Sequence, residues 1–310
     1  MDEIIKTENI SKCYGDVHAV SDLSLNVRKS EIYGFLGLNG AGKTTTIRML
    51  LGMIRPTSGT AFIYGKRVYA DNHELWKNIG SLVEIPYSYP NLTVHENLDI
   101  IRRLRFISDK GSIEKVIDKL RLASYKNIKA KNLSLGNAQR LGLAKAMLHN
   151  PEILILDEPT NGLDPAGIYE IREMLSDLAT NHGVTIFISS HILGEISRFS
   201  TRIGIIHEGK LIQEVDTSQL DKLCRKHLLI NARDTKVARS ILIQNGFNAS
   251  ETKDGIIEIL DEDAIRKPEN IATVMVNAGC PPTLLQVEEE DLESYFLRTI
   301  GINGGLNEKY

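Results

Sequence analysis

The sequence is poor in cysteine, has no surplus of basic residues and contains no long apolar run. Its 310 residues include three cysteines, each more than 50 residues from the next, so neither a disulfide framework nor metal-ligand spacing is present. With a net charge of -3, the chain lacks the excess of basic residues that is typical of a nucleic-acid binder. Apolar runs such as 153–156 are far shorter than the ~20 residues that cross a bilayer. Because the first ten residues also lack a signal-peptide pattern, we expect a cytoplasmic protein without a membrane span.

The chain has enough apolar material for two domains. Hydrophobic residues make up 42% and charged residues 25%, which is typical of globular proteins. As far as residue 216, short apolar runs alternate with helical patterns, an order that predicts a parallel sheet covered by helices. We therefore expect an α/β domain over residues 1–217. Its candidate strands are 32–36, 153–156, 185–189 and 203–206.

Two departures from this rhythm predict further substructure. Residues 93–150 read as a helical subdomain inserted into the sheet domain, with amphipathic helices over 97–106 and 113–122. Residues 218–310 predict a small C-terminal accessory α+β unit. Its candidate elements are a strand at 227–231, a helix at 235–244, a strand pair turning at Asp254-Gly255, a helix at 271–278, a short strand and a final helix at 291–297.

A phosphate-binding loop follows the first buried strand. Residues 37–44 fit the pattern GxxxxGK followed by Ser or Thr, and they open a helical run that we predict over 45–53. Glycines in such a loop turn backbone amides toward phosphates, the lysine adds a cation, and the hydroxyl can hold Mg²⁺. The predicted nucleotide-binding residues are Gly37, Leu38, Asn39, Gly40, Ala41, Gly42, Lys43, Thr44 and Thr45.

Two carboxylates end a second buried strand. Asp157 and Glu158 follow the apolar run 153–156, at the edge of an open α/β sheet where ligands bind. Asp157 is a candidate Mg²⁺ ligand, and Glu158 is a candidate general base that polarises an attacking water. By themselves the two residues are also compatible with an ordinary acidic turn; their position beside a phosphate loop favours catalysis.

A capped helix lies between these two motifs. Ser134 is placed to cap a helix that continues through Leu148, and a helix start with a free hydroxyl can bind an anion. A plain core helix with the same cap remains an equal alternative on this segment alone. The order of phosphate loop, helical insertion, Ser-x-Gly helix and Asp-Glu strand favours the functional interpretation.

With these motifs in that order, residues 2–216 resemble the nucleotide-binding subunit of an ABC transporter. The resemblance implies a RecA-like P-loop NTPase core with an added β-subdomain and helical subdomain. Residues 133–139 then stand for the signature motif, in which Ser134, Gly136 and Asn137 contact the γ-phosphate of ATP held by the phosphate loop of a second copy.

The resemblance assigns three more residues. Tyr14 would stack on adenine, Asp164 would close the D-loop at residues 161–164, and His191 would be the switch histidine that contacts the γ-phosphate. On residue type alone, Tyr14 is more often an ordinary packing aromatic and His191 an ordinary surface histidine.

The sequence departs from the family pattern at three positions. Glu84 stands where the family has a glutamine that touches Mg²⁺, so the resemblance makes Glu84 a metal residue beside Thr44 and Asp157. Leu135 replaces the first signature glycine and Asn137 the signature glutamine. Within the family, the resemblance is to the ATPases of bacitracin-resistance and lantibiotic-immunity exporters. It is carried by residues 79–84 with Pro86, by residues 89–93 and by the ending 287–300.

The resemblance implies an ATPase that powers a separate transmembrane permease. Two subunits would pair head to tail around ATP and Mg²⁺, and residues 84–93 would attach the pair to the permease on the inner face of the cell membrane. The expected cargo is an antimicrobial peptide of lantibiotic or bacitracin type, exported for self-protection or resistance. An exporter of a drug, lipid, polysaccharide or ion is an alternative. A non-transport ABC ATPase of translation or DNA repair fits less well, because the chain has one phosphate loop and no sustained heptads.

Overall fold

The computed structural model describes residues 3–84, 87–252 and 255–301. The chain divides into two compact units, Met1–Thr217 and Ser218–Tyr310. Across the described residues, every helix falls short of the length and apolarity that crossing a bilayer demands. Pro86 and Asp254, which took part in the sequence patterns above, lie outside the described residues.

The first unit contains two sheets and a set of helices. Its strands are β1 (Glu3–Tyr14), β2 (Val17–Arg28), β3 (Ile32–Leu36), β4 (Ser58–Ile63), β5 (Lys66–Arg67), β6 (Ile79–Leu82), β7 (Ile153–Leu156), β8 (Thr185–Ser190), β9 (Arg202–His207) and β10 (Lys210–Asp216). Its helices are α1 (Lys43–Leu50), α2 (His73–Trp76), α3 (Val94–Leu104), α4 (Gly111–Lys119), α5 (Leu135–Met147), α6 (Pro165–His182) and α7 (Leu193–Ile196).

The larger sheet has the strand order β10-β9-β3-β8-β7-β6. Strands β6, β7, β8, β3 and β9 pair in parallel, and β10 adds an antiparallel edge. Every residue of β3, β7 and β8 is buried, as expected for parallel strands covered on both faces. A smaller antiparallel sheet, β2-β1-β4-β5, accompanies it. The α/β class expected from the sequence is therefore present.

Helices α3, α4 and α5 occupy the segment that interrupts the strand pattern. The sequence placed the first two at 97–106 and 113–122, but both begin and end earlier. Thr93 starts α3 with a capping box, since its hydroxyl accepts from the Glu96 amide and the Glu96 carboxylate accepts from the Thr93 amide. Phe106 takes a left-handed φ of 55°, which ends the helical path.

The second unit combines a four-stranded sheet with helices. Its elements are α8 (Leu220–Leu223), β11 (Lys226–Ala232), α9 (Thr235–Gln244), β12 (Ala249–Glu251), β13 (Ile257–Ile259), α10 (Glu262–Arg266), α11 (Pro268–Asn277), β14 (Pro282–Glu289) and α12 (Leu292–Thr299). The strand order is β12-β13-β11-β14, and the described pairs are antiparallel. Alternating residues of β11 and β13, such as Leu228 and Ile259, share a core with Leu242 of α9 and Met275 of α11. This unit thus has its own hydrophobic core.

Candidate functional site

Polar side chains collect where three parallel strands of the larger sheet end. Strand β3 leads into the phosphate loop, β7 leads into Asp157 and Glu158, and β8 ends at Ser189 and Ser190 before His191. Parallel strands end at the same edge of a sheet, which is where open α/β folds bind ligands. The candidate site is therefore a product of the strand order.

Glycine is required in the phosphate loop for conformation and for space. Gly40 and Gly42 have φ of 81° and 106°, values that other residues rarely adopt. A Cβ at Gly42 would also lie 2.5 Å from the carbonyl oxygen of Ala19. Because Gly42 is left-handed, α1 begins directly afterwards at Lys43, two residues before the predicted start, and it ends at Leu50 rather than residue 53. The first turn of α1 and its free amides thus border the loop.

Hydrogen bonds hold Lys43 within the phosphate loop and join Thr44 of the loop to Asp157 after β7. The Lys43 ammonium is buried, with 6% of the residue exposed, and donates to the carbonyl of Gly37 at 2.6 Å. The Thr44 hydroxyl donates to Asp157 Oδ2 at 2.7 Å. The Ser189 hydroxyl donates to the other oxygen, Oδ1, at 2.6 Å. The Asp157 carboxylate is thereby fixed between the hydroxyls of Thr44 and Ser189.

Glu158 lies between two basic groups. Its Oε1 is 3.3 Å from the Lys43 ammonium, and its Oε2 is 2.8 Å from Nδ1 of His191. Its backbone has a left-handed φ of 49°, which is uncommon for a glutamate, and its amide donates to the Ser189 hydroxyl at 3.0 Å. The carboxylate is only partly exposed, so it is held near Lys43 while remaining accessible to a water.

The donor chemistry at this edge fits Mg²⁺. A hydroxyl and a carboxylate oxygen lie together at Thr44 and Asp157, and Mg²⁺ binds such hard oxygens while keeping waters and phosphate oxygens as further ligands. Among the described residues there is no group of three or more His, Cys, Asp or Glu side chains able to hold a metal by themselves. The arrangement therefore suits a cation shared with a nucleotide rather than one caged by protein.

The signature residues form a second cluster at the start of α5. The Ser134 hydroxyl accepts from the amide of Asn137 at 3.3 Å, which confirms the predicted helix cap. Leu135 is 58% exposed. No hydrogen bond or ion pair between described residues joins Ser134, Gly136 or Asn137 to the phosphate loop. Within one chain, the two clusters are separate surfaces.

The D-loop, residues 161–164, lies against this second cluster. A Cβ built on Gly136 would be 3.1 Å from Leu163 Cδ2, and one built on Gly162 would be 2.3 Å from Leu135 Cδ2. Asp164 caps α6 by accepting from the amide of Gly167 at 3.1 Å. The D-loop and the signature thus share one surface of the chain.

Two predicted site residues make other contacts. Tyr14, at the end of β1, is half exposed, and the Lys12 ammonium lies 5.1 Å from the centre of its ring. Glu84 has a left-handed φ of 58°, and its carboxylate forms an ion pair with Arg48 of α1. Neither residue is bonded to Thr44 or Asp157 among the described contacts. The assigned roles of Tyr14 and Glu84 remain predictions.

Sequence reasoning gave no role of their own to Ser189 and Gln139, although Gln139 lies within the signature segment 133–139. Ser189 was treated as the end of an apolar strand, although a hydroxyl at the carboxyl end of a parallel strand is itself a signal for this edge. Gln139 is buried, with 4% exposed, and its side-chain amide donates to the carbonyl of Glu158 at 3.2 Å. Nothing in the local sequence distinguishes that glutamine from one on a solvated face of α5.

Comparison with known sequences gives matches over nearly the whole chain. A family model described as "ABC transporter" matches residues 20–161. The bacitracin transport ATP-binding protein BcrA of Bacillus licheniformis is 43% identical over 304 residues, covering 97% of this chain and 98% of that protein. The protein of the same name from Enterococcus faecalis is 42% identical, covering 98% of both. The lantibiotic transport ATP-binding protein SrtF of Streptococcus pyogenes is 37% identical over 233 residues, covering 74% of this chain and all of that protein.

Solved structures resemble the first unit. A dimeric structure of MJ0796, a bacterial ABC transporter cassette, superposes with a TM-score of 0.65 at 26% identity, covering 69% of this chain and 99% of that one. A dimeric post-hydrolysis state of the same cassette, bound to ADP and Pi, gives a TM-score of 0.64 at 25% identity, with the same coverage.

Proposed function

This chain belongs to the ABC transporter family as an ATP-hydrolysing, nucleotide-binding subunit, and from that premise we propose how its residues share the work. The observation that carries the proposal is the cluster at the sheet edge, where Lys43, Thr44, Asp157, Glu158 and His191 are joined by direct contacts. The family assignment made from the sequence is confirmed by the relatives. The individual residue roles are our proposal.

In the proposed site the phosphate loop binds the triphosphate. Residues 37–45 would surround it with backbone amides, and the Lys43 ammonium would exchange the carbonyl of Gly37 for phosphate oxygens. Thr44 and Asp157 would hold Mg²⁺, which supplies charge neutralisation at the phosphates when bound. Tyr14 would stack on the adenine. Glu84 would reach the metal only if its carboxylate left Arg48.

Glu158 is the proposed general base. A carboxylate fixed near the γ-phosphate, but not used as a metal ligand, can accept a proton from the attacking water. The 2.8 Å contact with His191 supports a shared role, in which the imidazole would orient the carboxylate and also contact the terminal phosphate. The backbone bond from Glu158 to Ser189 keeps the base beside the Asp157 carboxylate.

In this proposal a second ATPase subunit, arranged head to tail with the first, completes the nucleotide-binding site. Ser134, Gly136 and Asn137 present a helix start and a hydroxyl on a surface apart from the phosphate loop, which is what a site shared between two subunits requires. Asp164 belongs to the same surface through the D-loop. ATP would favour the closed pair and ADP the open one, and this difference would drive the permease.

The permease is proposed to dock at residues 84–93. In the described part of this segment, Tyr87 is 77% exposed and packs edge-on against Tyr89 at 5.9 Å, while the buried Asn97 side chain donates to the backbone of residues 89, 92 and 93. An exposed aromatic pair beside a hydrogen-bonded turn suits a protein partner. The subunit would then work at the inner face of the cell membrane.

The proposed cargo is an antimicrobial peptide of bacitracin or lantibiotic type. Support comes from the two bacitracin transport relatives, which cover almost the whole chain, and from the lantibiotic transport relative, which covers 74% of it. The exporter-like segments at 79–93 and 287–300 add to this support. Cells carrying the chain with its permease should tolerate more peptide than cells lacking either one. Unchanged tolerance, with a drug or lipid exported instead, would contradict the cargo proposal and leave the ATPase proposal standing.

The substitution Glu158→Gln tests the catalytic proposal. Removing the base should lower the hydrolysis rate by about 100-fold or more while ATP binding persists, so ATP-bound dimers accumulate. Steady-state phosphate release and size-exclusion chromatography with ATP measure the two effects. Glu173→Gln, at an exposed position on α6, is the matched control and should behave as wild type. Hydrolysis at the wild-type rate in the Glu158→Gln variant would rule out this role.

A further inference from the structure

The first two turns of α5 are fastened to the segment that carries Glu158. Gln139 donates from its side-chain amide to the Glu158 carbonyl, which also accepts from the amide of Asn161 at 3.1 Å. A buried amide side chain retains a hydrogen bond because leaving it unpaired is costly. The base, the D-loop and the signature helix therefore meet at a single carbonyl oxygen.

Two leucine–glycine contacts join the same segments near the surface. Leu135 packs over Gly162 and Leu163 packs over Gly136, so each segment places its leucine against the glycine of the other. A side chain at Gly162 would collide with Leu135, since the added Cβ would be 2.3 Å from Leu135 Cδ2. This reciprocal pair gives Leu135, which replaces a family glycine, a contact inside its own chain.

An ion-pair group supports the contact from the next turn. Arg140 of α5 pairs with Glu170 of α6 at 2.8 Å and donates to the carbonyl of Leu120 at 3.3 Å. Arg121 also pairs with Glu170. Because Arg140 and Glu170 are mostly buried, these bonds are less screened than surface pairs. The start of α5 is thus held to the start of α6 along a continuous line of contacts.

We propose that Gln139 is a positioning residue that couples the signature surface of each chain to the catalytic carboxylate of the same chain. The backbone of Glu158 is left-handed, and such a conformation persists only where neighbouring groups hold it. When the signature of this chain engages a nucleotide on the second subunit, a shift of α5 reaches Glu158 through Gln139 and the leucine–glycine contacts. Each of the paired sites thereby responds to closure at the other. This inference rests on the proposed function.

The variant Gln139→Met tests the coupling, because methionine keeps the volume and removes the donor. We expect the hydrolysis rate to fall by about 3- to 10-fold, as for one lost hydrogen bond to the backbone, with the KM for ATP unchanged. Leu135→Gly restores the family residue but removes the contact with Gly162, and it should also lower the rate. An unchanged or higher rate in both variants would overturn the proposal.

A double variant distinguishes positioning from general loosening. If Gln139 acts through Glu158, adding Gln139→Met to Glu158→Gln should leave the residual single-turnover rate unchanged. A further 3- to 10-fold loss, or a raised KM for ATP, would show that Gln139 acts elsewhere and would overturn the proposal. Thermal unfolding and binding of a fluorescent ATP analogue verify that the variants fold. Absence of hydrolysis by the wild-type chain would instead refute the proposed function.

Discussion

The two halves of the proposed nucleotide site differ in how far a single chain completes them. At the phosphate loop, Lys43, Asp157 and Ser189 are buried. Lys43 donates to the carbonyl of Gly37, and the Ser189 hydroxyl donates to the Asp157 carboxylate. At the signature, the Ser134 hydroxyl contacts only the amide of Asn137 among the described residues, and Leu135 is largely exposed. The first half is therefore preorganised within the chain. The second half presents an exposed surface that a second molecule would complete.

This difference explains why one half could be predicted more fully than the other. Strands β3 and β7 were predicted with correct bounds, because a continuous apolar run followed by a polar motif is a local signal. The fold class and the phosphate loop followed from the same signals. The contacts of Gln139 with Glu158 and of Leu135 with Gly162 join residues 19 or more positions apart, and no local pattern encodes them.

Charge pairing was equally hidden from the sequence. The resemblance made Glu84 a metal residue, but its carboxylate pairs with Arg48, which lies one turn along α1 from Thr44. The two residues are 36 positions apart, so no local pattern of the sequence indicates that they pair. Backbone special cases, such as the left-handed φ of Glu158, likewise depend on the surrounding structure.

The largest effect should come from breaking the preorganised half. Lys43→Ala removes the buried cation, so ATP hydrolysis should fall by about 100-fold or more and nucleotide affinity should drop as well. Phosphate release and titration with a fluorescent ATP analogue measure both. Lys236→Ala, at an exposed position in the second unit, is the control. Wild-type affinity in the Lys43→Ala variant would contradict the assignment of the loop.

A smaller effect should come from altering the exposed half. Ser134→Asp keeps a residue that caps helices but adds negative charge where a γ-phosphate would sit. ATP binding by the single chain should persist, whereas ATP-dependent pairing and hydrolysis should fall by about 30-fold. Ser134→Asn introduces a side chain of nearly the same shape as aspartate but without the charge, so its pairing and hydrolysis should fall much less.

Equal behaviour of the Ser134→Asp and Ser134→Asn variants would show that this helix start does not face a phosphate. Sedimentation with and without ATP, together with phosphate release, provides the measurement.

The smallest effect is expected at His149, just beyond the C-terminal end of α5. Burial lowers the pKa of His149 to about 4, and its Nε2 contacts the carbonyl of Ile79 at 3.1 Å. In the unfolded chain the imidazole binds a proton near pH 6.5, whereas in the folded chain it does so only near pH 4. The free energy of unfolding should therefore fall as the pH drops from about 6.5 to about 4. Because His149 is partly exposed, the contribution is about 1 kcal/mol.

The substitution His149→Phe should flatten the acid side of the stability curve, as measured by urea unfolding at several pH values. A curve with unchanged slope between pH 6.5 and 4 would exclude His149 as the source.

Mixing two impaired variants tests the shared site most directly. In a pair formed by Lys43→Ala and Ser134→Asp chains, one site carries both defects and the other carries neither. Because half of the randomly formed pairs then have one intact site of two, the ATPase rate should rise well above that of either variant alone, to at most about a quarter of the wild-type rate. If the mixture remains as inactive as its components, the nucleotide is not held between two copies of this chain.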